Sequence, residues 1–165
     1  MKRATAIGLG VVAAVAVAPA GAAKPQAWAT VNICDTPGHP NQMGVRANMP
    51  GNGKRQKMYM RFRAQFFSAD GKWEDVKGPG LSRWIYAGSA RLANRQAGYT
   101  FSFSPPSRST RFVLRGLVAF EYREKKKGER ERVVRRFRKN TKGGYPLARG
   151  GDPPGYSNGV CEIRP

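Results

Sequence analysis

Arg111-Phe-Val-Leu-Arg-Gly-Leu-Val-Ala-Phe-Glu-Tyr-Arg123, continued by Glu124-Lys-Lys-Lys-Gly-Glu129 and then by residues 130–140, decides how the chain is read. The even positions of the first part are Phe112, Leu114, Gly116, Val118, Phe120 and Tyr122. In an extended chain every second side chain returns to the same face, so this segment predicts a strand half buried against a core. Gly128 lies in a short polar loop. Beyond it Val133 and Phe137 restart an apolar face with Arg135 between them, which predicts a β-hairpin. Setting Glu124 opposite Glu129 puts Phe120 against Val133, Val118 against Arg135, and the Phe137 ring over the bare backbone of Gly116.

The same alternation recurs outward from the hairpin. Within 57–67, Met58, Met60, Phe62, Ala64 and Phe66 share one face while Tyr59, Arg61, Arg63 and Gln65 share the other. Asp70-Gly71 predicts a two-residue turn of the primed type, which returns the chain with Trp73 on the apolar face of 57–67. Further strands are expected at 28–34, 43–49, 83–88, 99–103 and 160–163, with either a short strand or one helical turn at 88–96. The two prolines and the glycine of 35–42 predict a loop. Residues 141–159, rich in Gly, Pro and polar side chains, predict a long irregular connection. Eight or nine short strands with no amphipathic helix predict an all-β fold: an antiparallel β-sandwich of the immunoglobulin or fibronectin-III kind, in a single domain spanning 24–165.

Met1-Lys-Arg3 is positively charged, residues 4–18 are an uncharged run rich in Ala and Val, and Pro19-Ala-Gly-Ala-Ala23 follows. This three-part pattern predicts a signal peptide over 1–23, cleaved after Ala22 or Ala23. An uncleaved anchor is the alternative, although crossing a bilayer takes roughly 20 apolar residues. The 165-residue chain carries 30 basic and 10 acidic residues, a formal charge of +20, of which the signal segment removes Lys2 and Arg3. Charge of that size favours anionic polymers and surfaces and says nothing about fold. The two cysteines, Cys34 and Cys161, allow one pairing, and an exported chain permits it. The expected disulfide joins the first and last strands, unlike the bridge at the heart of antibody domains.

The N-terminal segment, Thr30-Val-Asn-Ile-Cys-Asp-Thr36, Met58-Tyr-Met-Arg-Phe-Arg63 and Pro153-Pro-Gly-Tyr-Ser157 together resemble uncharacterised secreted β-sandwich proteins of actinobacteria. The likeness covers most of 24–165. It implies a secreted sandwich and carries no reaction with it.

Candidate chemistry is sparse. A hydrolytic triad needs a base beside a nucleophile, and the single histidine, His39, shares its loop with Asp35; Ser157 and Ser89 are the candidate serine partners, with no nucleophile elbow around either. His39 with Met43, Met49, Met58 and Met60 offers the soft donors of a copper carrier, yet Met58 and Met60 fall on an apolar strand face where packing accounts for them. The stronger signal is charge. From Arg123 to Lys142 there are 11 basic residues and three acids. Lys125, Lys126, Lys127, Arg130, Arg132, Arg135, Arg136 and Arg138 are expected to form a cationic ribbon attracting polyanions through their summed field and counterion release. Glu121, Glu124, Glu129 and Glu131 dilute it, and charge on an exposed hairpin also guards a sheet edge. The resulting expectation is a secreted or envelope-associated monomer with no cofactor or metal, acting as a non-catalytic binding or structural module for an anionic envelope polymer or extracellular polyanion. The alternative is a protein-interaction domain whose charge serves solubility. An enzyme or metal carrier using His39 ranks third.

Overall fold

The computed structural model describes residues 25–165, so the expected signal segment lies outside the described residues. Nine strands follow one another: β1 (Trp28–Thr36), β2 (His39–Pro50), β3 (Lys57–Phe67), β4 (Trp73–Asp75), β5 (Ile85–Ser89), β6 (Asn94–Ser102), β7 (Phe112–Glu124), β8 (Arg132–Asn140) and β9 (Cys161–Ile163). A single 3-10 turn, Gly78–Gly80, is the one helical element among the described residues.

All named pairings are antiparallel, in two sheets. The smaller sheet runs β1-β2-β6. The larger is built on β3 and β7, with β4 and β5 sharing the far edge of β3 and β8 and β9 sharing the far edge of β7. Strands one, two and six against eight, seven, three and five is the A-B-E against G-F-C-C′ order of immunoglobulin sandwiches. Period-two faces meet between the layers: Ala29, Val31, Met43, Val45, Ala47 and Met49 from one sheet, Met58, Met60, Phe62, Leu114, Val118 and Phe120 from the other. Cys34 on β1 and Cys161 on β9 form a disulfide that ties the two sheets together as well as the first and last strands.

The hairpin register differs from the expected one. Phe120 faces Phe137, Val118 faces Lys139, and Glu124 faces Arg132. The expected alignment set two glutamates opposite each other, and like charges across a ladder are unfavourable. Instead residues 125–131 all leave the ladder, and a bulge between Tyr122 and Arg123 slides β8 further. The slide stacks Phe137 on Phe120 at 4.8 Å between centroids and leaves Val133 exposed, so those two no longer share a face. Gly116 is covered by Val45 and Thr141, whose side chains stand where a Cβ would go, and the Thr141 hydroxyl accepts its N–H.

Three local expectations also need correction. Residues 35–42 are a tight hairpin rather than a loop: Thr36 pairs with His39, and Asp35 and Asn41 absorb the irregularity with φ of 45° and 55°. The Asp35 carboxylate accepts the Asn41 N–H, a local bond that lets two prolines sit at a bulged end. At 69–71 the turn has Gly71 at φ 73° and no positive φ at Asp70, so it is a three-residue loop closed between Ser68 and Lys72. That extra residue turns Trp73 outward, against Phe67 and under Arg115, away from the core.

Residues 141–159 hold no strand, as expected, but form a third layer. They run along the free edge of β1 through Lys142, Asp152 and Asn158 backbone bonds, and Tyr145 stacks on Trp28 at 4.8 Å.

Tyr122, 2% exposed, donates its hydroxyl to the Pro50 carbonyl at 2.6 Å. Tyr122→Phe leaves that carbonyl without its donor and is expected to cost about 1–2 kcal/mol in urea unfolding at neutral pH. Burial raises the phenol's pKa above its ordinary value, an effect that the nearby Arg135 charge opposes. The folded state therefore holds the phenolic proton more tightly than the unfolded chain. That contribution is complete below pH about 10 and is lost as pH rises through the folded pKa. Unfolding measured at pH 8 and 11 should show this alkaline loss shrinking in the phenylalanine variant.

Candidate anion-binding site

The outward residues of β3, β7 and β8 align in rungs. Tyr59, Glu121 and Arg136 form one; Arg61, Ala119 and Arg138 the next; Arg63, Leu117 and Asn140 the third. Alternation thus places Arg61 and Arg63 along one side and Arg136 and Arg138 along the other, with small or apolar Ala119 and Leu117 as the floor between. Asp75 of β4, with Leu81 and Trp84 delivered by the chain leading into β5, completes an open cleft of about 370 Å³.

Each guanidinium is differently engaged. Arg63 is paired with Asp75, and Arg61 donates Nε to the Ser82 carbonyl at 3.1 Å. Arg136 donates Nε to Glu121 at 2.6 Å. Arg138 has no ion pair and no side-chain hydrogen bond among the described residues. The Glu121 side chain is wholly buried and also accepts Arg123 Nε at 2.7 Å, so one carboxylate fixes two arginines. Arg123 in turn lies over Tyr59 at 4.1 Å and Trp84 at 5.0 Å, while Arg61 and Arg136 approach the Trp84 ring to 5.9 and 6.0 Å. These cation–π contacts hold the guanidinium planes in place without cancelling their charge. Beyond the cleft, Lys57 and Glu131 lie 3.0 Å apart: their hydrogen bond raises the lysine's pKa and lowers the carboxyl's.

The eight basic residues expected to make one ribbon are divided among three places. Lys125, Lys126, Lys127 and Arg130 are exposed in the hairpin loop. Arg136 and Arg138 belong to the cleft. Arg135 is on the opposite side of β8, 5.3 Å over Phe137 and 5.9 Å over Tyr122, and Arg132 is paired with Glu124 at 3.4 Å. Arg61, Arg63 and Trp84 are the cleft residues the sequence reading left out. The polar face Tyr59, Arg61, Arg63, Gln65 was already visible; what was missing was the register that sets it opposite β8.

Elsewhere, His39 is partly exposed with Nε2 4.0 Å from Asp152, and the Ser157 hydroxyl is engaged by Thr30 and by the Tyr145 N–H. Met43, Met49, Met58 and Met60 are fully buried in the core, so Met43 does not share the surface position of His39. Among the described residues no group of three His, Cys, Asp or Glu is gathered as a metal set, and no helix is long and apolar enough to cross a membrane. Comparison with family models gave no match, and comparison with curated proteins gave none either.

Proposed function

We propose that this protein is an exported, monomeric, non-catalytic module that holds anionic polymer of the cell envelope in the arginine cleft of its larger sheet. The observation that carries the reading is the pair of arginine columns across an apolar floor, in which, among the described residues, Arg138 has no carboxylate partner and Arg61 spends only one donor, on a neutral carbonyl. A strand of phosphates or carboxylates laid along the floor meets guanidinium forks on both sides, the geometry in which arginine binds such groups bidentately. Lys125, Lys126, Lys127 and Arg130 extend the field and speed encounter. Export is supported by the composition of residues 1–23 and is compatible with the disulfide.

Titration calorimetry with long-chain polyphosphate and with polygalacturonate, at several salt concentrations, tests this. Affinity is expected to fall steeply with salt, with a log–log slope of about 0.7–0.9 per contacted charge. Replacing Arg61 and Arg138 with glutamine should flatten the slope by about two such contacts. Charge reversal at Lys125, Lys126, Lys127 and Arg130 should slow association and weaken retention on an anionic column. If the double glutamine variant keeps both affinity and slope, the cleft is not the binding surface. The charge would then be left with solubility as its role, as in a protein-interaction domain.

A further inference from the structure

The outer face of the smaller sheet is roofed by the 141–159 layer, and its buried polar side chains are almost all partnered. Thr30 bonds Ser157 at 2.7 Å and the Asn158 carbonyl at 3.1 Å. Asn32 donates to the carbonyls of Arg149 and Gly150 at 3.1 and 2.6 Å, and Asn48 to that of Gln26 at 3.0 Å. From the other side Gln96 of β6 accepts the Arg149 N–H at 3.1 Å and reaches the Leu147 carbonyl at 3.4 Å. Asn32 on β1 and Gln96 on β6 thus hold the loop around 147–150 across the middle strand.

Arg46 of β2 lies beneath that bridge. It is paired with Thr30 on one side and Gly98 on the other. Its Nε is the one buried side-chain polar atom without a hydrogen-bond partner among the described residues, and no carboxylate is within ion-pairing distance of its guanidinium. Two glycines make room for it. A Cβ on Gly98 would stand 3.0 Å from Cζ, and one on Gly150 would stand 2.9 Å from Nη2. Burial first, and then the like charge of Arg149, lower the Arg46 pKa from its ordinary value. A half-buried guanidinium with no carboxylate partner among the described residues is an unfavourable arrangement unless something supplies one. The recess over it, about 270 Å³, is lined by Asn32, Tyr99, Thr100 and the two glycines and opens to solvent.

We infer that Arg46, cradled by Gly98 and by Gly150, the residue that follows Arg149 in the chain, is a second binding site, separate from the cleft, for a single oxyanionic group: a phosphate or carboxylate of a small ligand or chain end. The planar fork suits either group, and the charge missing from the protein is the one such a group brings. The Thr100 hydroxyl, on the same face of β6 as Gly98, and the Asn32 side chain are the polar neighbours available to the rest of the ligand.

The test is a proton–nitrogen NMR titration of the purified protein with inorganic phosphate and, separately, with acetate, chloride being exchanged to hold ionic strength constant. The Arg46 Nε–Hε signal and the Gly98 and Gly150 amides are expected to shift saturably with at least one anion, and the one that saturates at lower concentration identifies the group. Arg149→Gln, at an exposed position, should weaken that saturation several-fold while the spectrum stays dispersed, and Arg46→Gln should abolish it. Arg61→Gln with Arg138→Gln should leave these signals unaffected, so the outcome is independent of the cleft. Shifts that grow linearly for both anions, or that persist unchanged in Arg149→Gln, overturn the inference.

Discussion

Glu121→Ala is expected to lower the free energy of unfolding by about 3–5 kcal/mol, the range seen when one partner of a buried ion pair is removed and the other is left behind. The Glu121 side chain is fully covered, Arg123 is 21% exposed, and Arg123 lies over the Tyr59 and Trp84 rings. Removing the carboxylate leaves Arg123 half buried with only Glu131, 3.7 Å away, as an acid partner. Arg136, 56% exposed, can swing into water. Affinity for polyanion should therefore hold or rise in this variant, since it loses an acid and frees an arginine, even as stability falls. A urea titration of wild type, Glu121→Gln and Glu121→Ala reads the stability, and the calorimetric assay reads the affinity. A loss below about 1 kcal/mol in the alanine variant would mean that the carboxylate is not what organises this side of the cleft.

The disulfide sets the other large effect. Cys34 and Cys161 are 127 residues apart, and in the chain-entropy model a loop of that length restricts the unfolded state by about 5 kcal/mol. Domains are stable by about 5–15 kcal/mol in all, so replacing both cysteines with serine should remove a third or more of the total. The urea midpoint of Cys34→Ser/Cys161→Ser should fall far below that of the oxidised protein. Reducing agent should shift the wild type toward the variant and leave the variant unmoved. Coincident curves would show that the bridge does not restrict the unfolded chain as the entropy model requires.

How far the chain could be read in advance follows from the range of the interactions. The inner faces of β3 and β7 were legible because Met58 to Phe66 and Leu114 to Tyr122 repeat at the spacing of the pleat itself. The cysteine pair was legible because only one pairing exists. The β7–β8 register was not, because a bulge puts two residues against one and no local pattern announces it. The cleft went unseen for the same reason: Arg61 and Arg138 share a rung only through Ala119, and that relation exists only once both ladders are aligned. In 35–42 the prolines argued for a loop, and the Asp35 to Asn41 bond overrode them. Arg46 was hidden most deeply. It alternates with inward Val45 and Ala47 as an ordinary surface arginine would, and the segment that roofs it, around Gly150, is about a hundred residues away in the chain.

The loop layer over the smaller sheet has an optical consequence. The three tryptophans are in three separate settings: Trp28 stacked on Tyr145 of the layer, Trp73 under Arg115, and Trp84 among the cleft arginines. Lifting the layer strips only Trp28 of its ring partner, and filling the cleft changes the surroundings of Trp84 alone. Fluorescence from variants that keep one indole each therefore separates detachment of the layer, occupancy of the cleft and melting of the sandwich as three distinct signals from one molecule.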